Sequence, residues 1–447
     1  MKNKNALFES STFEIFSKKI LNELVADESL TMTLSAEETL FTRLSKAKVR
    51  QVTNLNQAFI DFNYILGNKT LSFSLPFKGT DDDIVLAQKK IKESRKWIEH
   101  LPEDPYLVRP EFYGVTKDEN LHILPSNDEM LAGILDNASH VDMAGVFSAG
   151  DIVRASINSV GQFHWFKTRN FYLDYSLYNS KQKAVKSLFA GNEWDADALK
   201  LNIKDSEFKL SLMNRESKKI ERGSYRVFLA PSAVSELLGT LSWGGLSMGD
   251  HKRGNGSLKD LWEKKKRLSP KFSLTEDFSI GMCPRFNDRG EVAPSILPLI
   301  EKGELKNFLT STRTANEYKV ETNFATDYEA MRSPVISTGG LARENILKEL
   351  GTGLYLSDLH YLNWSDRETA RLTGMTRYAC FWVEHGEIVS PIQDLRFDES
   401  FYSLFGDALI DLTNFSEVIP STGSYFQRDV GGSKVPGILL SEFKFTL

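Results

Sequence analysis

The chain has 447 residues, which is enough for two domains that each bury a sizeable core. Hydrophobic residues make up 41% and charged residues 26%, a balance typical of a globular protein. Lys and Arg (55) nearly balance Asp and Glu (60), and the net charge of -5 argues against the basic surface that nucleic-acid binding needs. We therefore expect no nucleic-acid partner.

Cysteine usage and apolar runs indicate the compartment. Cys283 and Cys380 are too few for a disulfide framework and do not form a C-x-x-C pair. The N-terminus lacks the continuous apolar run of a signal peptide, because Glu9 and polar residues interrupt it. Residues 227–249 are the one apolar stretch of note, but a proline, a glutamate and several serines and glycines make it a poor membrane span. We expect a cytoplasmic protein with no membrane partner.

Hydrophobic periodicity predicts both helices and strands in the first half. Apolar residues recur every three to four positions in the helices and every second position in the strands. In chain order we predict a helix over 12–26, a hairpin turning at Gly67-Asn68, a helix starting at Thr80 or Asp81, strands over 140–180 and a helix over 195–216. In the last strand, Phe171, Leu173, Tyr175 and Leu177 alternate with Tyr172, Asp174 and Ser176. This half is predicted to pack helices on antiparallel strands.

After residue 270 short strands separated by turns dominate. R-G-E-V at 289–292, K-G-E-L at 302–305 and H-G-E-I at 385–388 each place a glycine between apolar runs, which is typical of hairpins. His385 is predicted to lie in such a turn, where histidine tolerates unusual backbone angles. We therefore predict an α+β protein, with an N-terminal α+β domain over 1–218 and a mainly β domain over 219–447.

Glu236 is the most informative single residue. It is the only charged residue between Val227 and Gly249, in a segment that reads as a strand entering a helix and then a Gly/Ser loop. An isolated carboxylate in apolar surroundings is costly unless it is paired, protonated or bound to a metal. The neighbours of Glu236 in the fold therefore bear directly on function.

Two other motifs suggest different chemistry. G-L-S-M-G at 245–249 matches the G-x-S-x-G nucleophile elbow, with His251 close behind Ser247. That elbow needs a strand before it and a helix after it, whereas here a helical pattern precedes and a polar loop follows. Gly254-Asn255-Gly256 could cradle an anion but lacks the lysine of a P-loop. An autonomous enzyme using Ser247 and His251 stays a disfavoured alternative.

Several segments resemble one known family. E-R-G-S-Y-R-V-F-L-A-P-S-A-V-S-E-L-L-G-T at 221–240 resembles the strand-into-helix core of the TldD/PmbA family, the "modulator of DNA gyrase" peptidases. The resemblance extends over essentially the whole chain. Further family-like pieces occur in the expected order at 42–51, 103–106, 158–161, 286–292, 299–309 and 382–392.

The resemblance also shows what is missing. In the catalytic TldD branch this helix carries H-E-x-x-x-H, whose two histidines bind zinc, and a cysteine near the C-terminus resembles a third ligand. Here the motif positions read Ser235, Glu236 and Thr240, and residues 421–437 contain no cysteine or histidine. Hydroxyl groups are poor zinc ligands. The resemblance therefore points to the TldE/PmbA branch, with no catalytic residue, metal or cofactor on this chain.

Members of that branch pair with a TldD-type subunit in a zinc protease that cleaves unfolded peptides. The resemblance implies that this chain helps to hold an extended peptide, by backbone pairing to a strand edge, while the zinc lies on the partner. Glu236 is then a relic of the general base or, as we favour, a carboxylate hydrogen-bonded to backbone or hydroxyl groups. The alternative is a stand-alone peptide- or ligand-binding paralogue without a protease partner, since the family's S-T-G-N-A reads E-T-N-F-A at 321–325. The expected assembly is a heterodimer with the TldD-type subunit or, in its absence, a homodimer.

Overall fold

A computed structural model describes residues 6–446 of the chain. Residues 1–5, on which the expectation of a missing signal peptide partly rests, and Leu447 lie outside them. Within the described range the chain forms one sheet of seven strands before residue 192 and one sheet of thirteen strands after residue 222. The predicted α+β fold class is confirmed. The exact domain division after residue 218 stays a prediction.

The first sheet is mainly antiparallel and has the order β3-β2-β1-β5-β6-β4. Its strands are β1 (Glu28–Ser45), β2 (Lys48–Leu66), β3 (Lys69–Pro76), β4 (Val115–Asn120), β5 (Asp142–Asn158), β6 (Phe163–Tyr178) and β7 (Ala184–Gly191). β4 runs parallel to the first part of β6, and β7 pairs antiparallel with its second part. The hairpin predicted at Gly67-Asn68 joins β2 to β3.

Four helices cover one face of this sheet. They are α1 (Ser10–Leu21), α2 (Asp81–Trp97), α3 (Asn127–Ala138) and α4 (Ala196–Leu212). The predicted start of α2 is confirmed, because Thr80 caps it and the Asp83 carboxylate accepts a hydrogen bond from the Thr80 backbone N–H at 2.8 Å. α1 ends earlier than predicted, at Leu21, although Leu24 still packs on the core.

The second sheet contains β8 near its centre, between β20 and β13. Its strands are β8 (Gly223–Leu229), β9 (Leu274–Asp277), β10 (Ile296–Glu301), β11 (Glu304–Leu305), β12 (Pro334–Ile336), β13 (Gly353–Leu356), β14 (Asp358–Asp366), β15 (Arg371–Arg377), β16 (Phe381–Glu384), β17 (Glu387–Pro391), β18 (Arg396–Ser400), β19 (Leu409–Pro420) and β20 (Gly432–Phe445). Its helices are α5 (Pro231–Gly239), α6 (Met248–Lys252), α7 (Lys259–Trp262), α8 (Thr312–Tyr318) and α9 (Ile346–Leu350).

The glycine-centred turns behave as predicted in two of three places. Lys302 and Gly303 turn the chain from β10 into β11, and His385 (φ 51°) with Gly386 joins β16 to β17. The turn at 289–292 closes only a single bridge between Phe286 and Val292 and does not join two strands. The apolar stretch 227–249 belongs to the core, and no helix within residues 6–446 is long and apolar enough to cross a bilayer.

The two-residue period of β6 separates an apolar face from a polar one. Phe171, Leu173 and Tyr175 are buried in the core formed with α3 and α4. Asn170, Tyr172 and Asp174 lie on the opposite face, which we call the polar face. The second half of the chain closes over this face, as in the hydrogen bond of 2.7 Å that Arg154 on β5 donates to the carbonyl oxygen of Arg428.

Replacing Phe272 by alanine tests the second core. Phe272 is fully buried, and its ring centroid lies 4.5 Å from that of Phe405. We expect Phe272→Ala to lower the free energy of unfolding by about 3–5 kcal/mol because it leaves a cavity. Tyr328→Ala, at a side chain 88% exposed, is the control and should change it by less than about 0.5 kcal/mol. Equal losses in urea unfolding would contradict this packing.

An ion pair that fixes α2 to the start of β1 should make stability depend on pH. Arg95 donates hydrogen bonds to both Glu28 carboxylate oxygens, at 2.6 and 2.9 Å, and the Tyr64 hydroxyl donates a third. Burial raises the pKa of Glu28, but the hydrogen bonds from Arg95 and Tyr64 outweigh it and leave that pKa below its usual value. The stabilisation is therefore present above the unfolded-state pKa of Glu28 and is lost as pH falls through the lowered folded pKa.

We expect Arg95→Met to lower the free energy of unfolding by about 2–3 kcal/mol at pH 7, the usual value of hydrogen bonds to a charged group. The loss should shrink at pH 3, where Glu28 is protonated in the unfolded chain. Lys96→Met, at an exposed neighbour, is the control. A loss of the same size at both pH values would contradict the ion-pair explanation.

Candidate functional site

Helix α5 is held by its apolar side. Pro231 occupies its first turn, where the fixed backbone angle of proline favours helix initiation. Val234, Leu237 and Leu238 are buried in the core of the second half. The remaining face of the helix, with Ser235 and Glu236, lies along a cavity between the two sheets.

This first cavity has a volume of about 510 Å³. Its walls are α5, the polar face of β6 with the neighbouring part of β7, and the chain around the β19–β20 loop (421–431). Its charged lining residues are Asp174, Lys186, Glu236, Arg332 and Asp358. Serine hydroxyls and backbone supply most of the other polar groups, and none of the described lining residues is a histidine or a cysteine.

The three motif positions lie in different surroundings. Ser235 Oγ is 2.8 Å from Ser433 Oγ, so a residue of β20 does meet α5 at its first motif position. Thr240 is buried, donates its hydroxyl hydrogen bond to the Leu237 carbonyl oxygen at 2.6 Å and is not part of the cavity wall. The hydroxyl groups of Ser235 and Thr240 thus both form hydrogen bonds with other protein groups.

Glu236 differs from our expectation. Within residues 6–446 its carboxylate forms no hydrogen bond or ion pair, because the nearby Ser and Thr hydroxyls have the other partners just described. The side chain is open to solvent through the cavity, yet protein atoms enclose it closely enough that burial raises its pKa, with Lys186 opposing the shift. The favoured interpretation of a hydrogen-bonded carboxylate is therefore wrong.

Asp358 is the second carboxylate of the cavity. Burial raises its pKa to about 6, with the negative charge of Glu236 adding to the shift, while Ser357, Lys186 and Lys209 oppose it. Lys186 Nζ lies 3.3 Å from Asp174 Oδ2. Burial lowers the pKa of Lys186, but Asp174 outweighs this and the pKa is raised overall, so Lys186 stays charged at neutral pH. The cavity therefore becomes more negative as the pH rises through 6.

The donor set does not suit zinc. Among the described residues no group of three or more His, Cys, Asp or Glu side chains is placed to hold a metal ion. Zinc sites in proteins combine three or four thiolate, imidazole and carboxylate ligands. Cys283 and Cys380 are both buried away from this lining, and burial raises the pKa of each thiol to about 12.

Ser247 and His251 have packing and capping roles. The Ser247 hydroxyl is buried, donates to the Glu329 carboxylate at 2.5 Å and accepts from the Asp250 backbone N–H at 3.0 Å, which caps α6. The His251 ring stacks on Phe308, with centroids 4.7 Å apart. A short helix does follow Ser247, contrary to the predicted loop, but no hydrogen bond joins the two side chains within residues 6–446. The nucleophile-elbow interpretation gains no support.

A second cavity of about 310 Å³ adjoins the first and shares Pro420, Ser421 and Val430 with it. Its wall includes Asn170 and Tyr172 of the polar face and Arg428 from the β19–β20 loop. Sequence reasoning did not identify this cavity. The alternation of apolar and polar residues in β6 was the only indication of the cavity in the sequence. It predicted a polar face of the strand but not which part of the chain covers that face.

Comparisons with known proteins match this architecture. The family model described as "PmbA/TldA metallopeptidase C-terminal domain" matches residues 222–447, slightly more than half of the chain. No curated protein gives a significant match.

Three solved structures share the fold over nearly the whole chain. A putative modulator of a DNA gyrase from Thermotoga maritima MSB8 has a TM-score of 0.77 at 15% identity, covering 97% of this chain and 100% of its own. TldE from Thermococcus kodakarensis has a TM-score of 0.76 at 14% identity, covering 98% and 100%. A putative modulator of DNA gyrase from Bacteroides thetaiotaomicron VPI-5482 has a TM-score of 0.77 at 14% identity, covering 98% of both chains. At such identities these similarities establish the fold alone. Because the family model spans more than half of its length, the chain belongs to the PmbA/TldD metallopeptidase family.

Proposed function

We propose that this chain is a non-catalytic, TldE-like subunit of a two-component, cytoplasmic zinc metalloprotease, and that it holds unfolded peptides for a TldD-type partner that carries the zinc. One observation carries the proposal. The cavity beside α5 is lined by hydroxyl groups, two high-pKa carboxylates and a lysine, with no histidine or cysteine among its described lining residues. This is a lining that can bind a peptide but offers zinc few good ligands.

The motif positions support the loss of the metal site. Ser235 and Ser433 meet where a ligand of α5 and a ligand from the C-terminal part of the chain would come together, and they hydrogen-bond to each other. Thr240 is buried against its own helix backbone. Glu236 alone keeps its family identity, and without a metal-bound water it has no nucleophile to activate.

The cavity also suits an extended peptide. Within the described residues β7 pairs with β6 alone, so its other edge has no strand partner. Ser187 and Leu188 of β7 lie on the cavity wall. An added strand can pair with such an edge, which gives affinity through backbone hydrogen bonds and leaves sequence preference to the side-chain pockets.

A stand-alone peptide- or ligand-binding paralogue is the second candidate. It is favoured by the departure of this chain from the family's loop sequences, since S-T-G-N-A of the family reads E-T-N-F-A at 321–325. Co-purification from the native cell separates the two proposals. A co-purifying chain with an intact H-E-x-x-x-H motif supports the protease subunit, whereas a homodimer without one supports the paralogue.

Metal content and cleavage test the missing catalytic site. We expect the purified chain to hold far less than one zinc ion per molecule and to leave unstructured peptides uncut, while its complex with the partner cleaves them in a chelator-sensitive reaction. In that complex Glu236→Gln should slow cleavage by less than about tenfold, because loss of a true general base costs about 10²-fold to 10⁴-fold. Stoichiometric zinc in the pure chain, or chelator-resistant cleavage lost in Ser247→Ala, would contradict the proposal.

The raised pKa of Asp358 predicts a pH dependence of peptide binding. Asp358 is largely neutral below a pKa of about 6 and negative above it, so a lysine-containing peptide should bind more tightly at pH 7.5 than at pH 5. A single partly solvated charge pair gives about a fivefold difference at most. Asp358→Asn should remove most of this difference, and a peptide with glutamine in place of lysine should lack it in the unaltered chain. Titrations by fluorescence anisotropy measure this, and equal pH profiles for both peptides would refute it.

A further inference from the structure

Arg428 is a buried cation with unused hydrogen-bond donors. Its side chain is 3% exposed and lies on the wall of the second cavity. Nη2 donates a hydrogen bond to Asn170 Oδ1, but Nε and Nη1 have no partner among the described residues. Buried guanidinium groups in proteins are normally paired, because leaving charged donors unsatisfied is costly. Arg428 therefore lacks a counter-ion.

The charged residues around Arg428 do not supply a counter-ion. Within residues 6–446 no carboxylate forms an ion pair with the Arg428 guanidinium. The nearby Glu37 carboxylate instead accepts from the Arg428 backbone N–H, the Thr39 hydroxyl and the Gln57 amide. Arg154, a second cation, lies against the same loop. Burial lowers the pKa of Arg428 to about 10, and Arg154 adds to the shift while Tyr172 and Glu37 oppose it.

The second cavity has room for an anion beside this group. Its volume is about 310 Å³, and the Arg428 guanidinium lies 5.4 Å from the Tyr172 ring centroid. Ala190 of β7 pairs with Tyr172 and so leaves space on the same face. The other charged lining residue, Asp429, already accepts a hydrogen bond from the Ser421 hydroxyl at 2.9 Å.

We propose that the second cavity is a carboxylate-binding site built on Arg428, and that its occupant is the C-terminal carboxylate of a peptide lying along β6 and β7. A guanidinium donates two parallel N–H bonds to a carboxylate either from Nε and Nη2 or from Nη1 and Nη2. In Arg428, Nε and Nη1 have no acceptor among the described residues, and Nη2 has a second hydrogen besides the one that it donates to Asn170. The site is separate from the degenerate zinc motif. The inference rests on the proposed peptide-binding function, which it extends by assigning the direction of the bound peptide.

The two cavities together carry the argument for a peptide. Tyr172 pairs with Ala190 at the second cavity, and Asp174 pairs with Leu188 at the first, two residues further along the same strands. Two residues of a strand span about 7 Å, so a short extended segment reaches from one cavity into the other. A free C-terminus at Arg428 would then place a preceding side chain near Glu236 and Asp358, where a basic group is favoured.

The test uses one unstructured peptide with a lysine near its end, prepared with a free C-terminal carboxylate and as the C-terminal amide. Both forms are titrated into the purified full-length chain by fluorescence anisotropy. We expect the acid to bind about 10-fold to 100-fold more tightly than the amide, the usual value of charged hydrogen bonds. Arg428→Gln should abolish the preference. Arg267→Gln, at a side chain 76% exposed, is the matched control and should preserve it.

Because Arg428→Gln could disturb folding, its thermal unfolding is compared with that of the unaltered chain. Ala190→Leu provides a second variant that keeps the arginine and fills the cavity beside Tyr172, and it should reduce acid binding to the level of the amide. Equal binding of acid and amide by the unaltered chain, or a preference that persists in Arg428→Gln, would overturn the carboxylate site.

A third ligand separates the possible sources of the carboxylate. N-acetylglycine should compete much more weakly than the peptide acid. If it binds as tightly, the occupant is a free small carboxylate and the peptide assignment is overturned. If neither peptide form binds, the proposed peptide-holding function fails, and N-acetylglycine binding that is lost in Arg428→Gln would still support the carboxylate site.

Discussion

The burial of the polar face of the first sheet is the constraint on which the candidate sites depend. The two-residue period of β6 places Phe171 and Leu173 under the helices, so Asn170, Tyr172 and Asp174 must lie on the opposite face. The second half of the chain covers that face and shields it from solvent. Polar groups that are buried in this way need hydrogen-bond or ion-pair partners. Where protein atoms do not provide these partners, cavities lined by charged side chains remain.

The position of helix α5 also depends on the packing of the second half of the chain over the first sheet. Its apolar side is fixed in the core of the second half, which leaves Ser235 and Glu236 at the cavity whatever their chemistry. Here the hydroxyl of Ser235 pairs with Ser433, and Glu236 shares the space with Asp358 and a lysine. In the proposed function, this part of the fold binds a peptide and no metal.

The two cavities differ in charge. The first carries Glu236 and Asp358 with raised pKa values, and the second carries Arg428, which has no ion-pair partner within residues 6–446. They adjoin along β6 and β7, beside the edge of β7 that has no strand partner among the described residues. An extended peptide would experience opposite charges at the two ends of this groove. In the proposed function this polarity would align a peptide for the partner's catalytic site.

The α+β class, the capped start of α2, the hairpin at His385 and the strand-into-helix segment around Glu236 could all be read from the sequence. Each of these follows from residues close together in the chain, whose spacing fixes local structure. The family followed from the resemblance of whole segments, such as 221–240, to known members and not from spacing. The composition of the site became visible only in the folded chain. Asp358, Lys186 and Arg428 reach the cavities from strands and loops distant in sequence. The hydrogen bonds expected for Glu236 do not form, and the neighbouring Ser235 hydroxyl instead pairs with Ser433, almost two hundred residues away in the chain. Local periodicity contains no information about such long-range pairings.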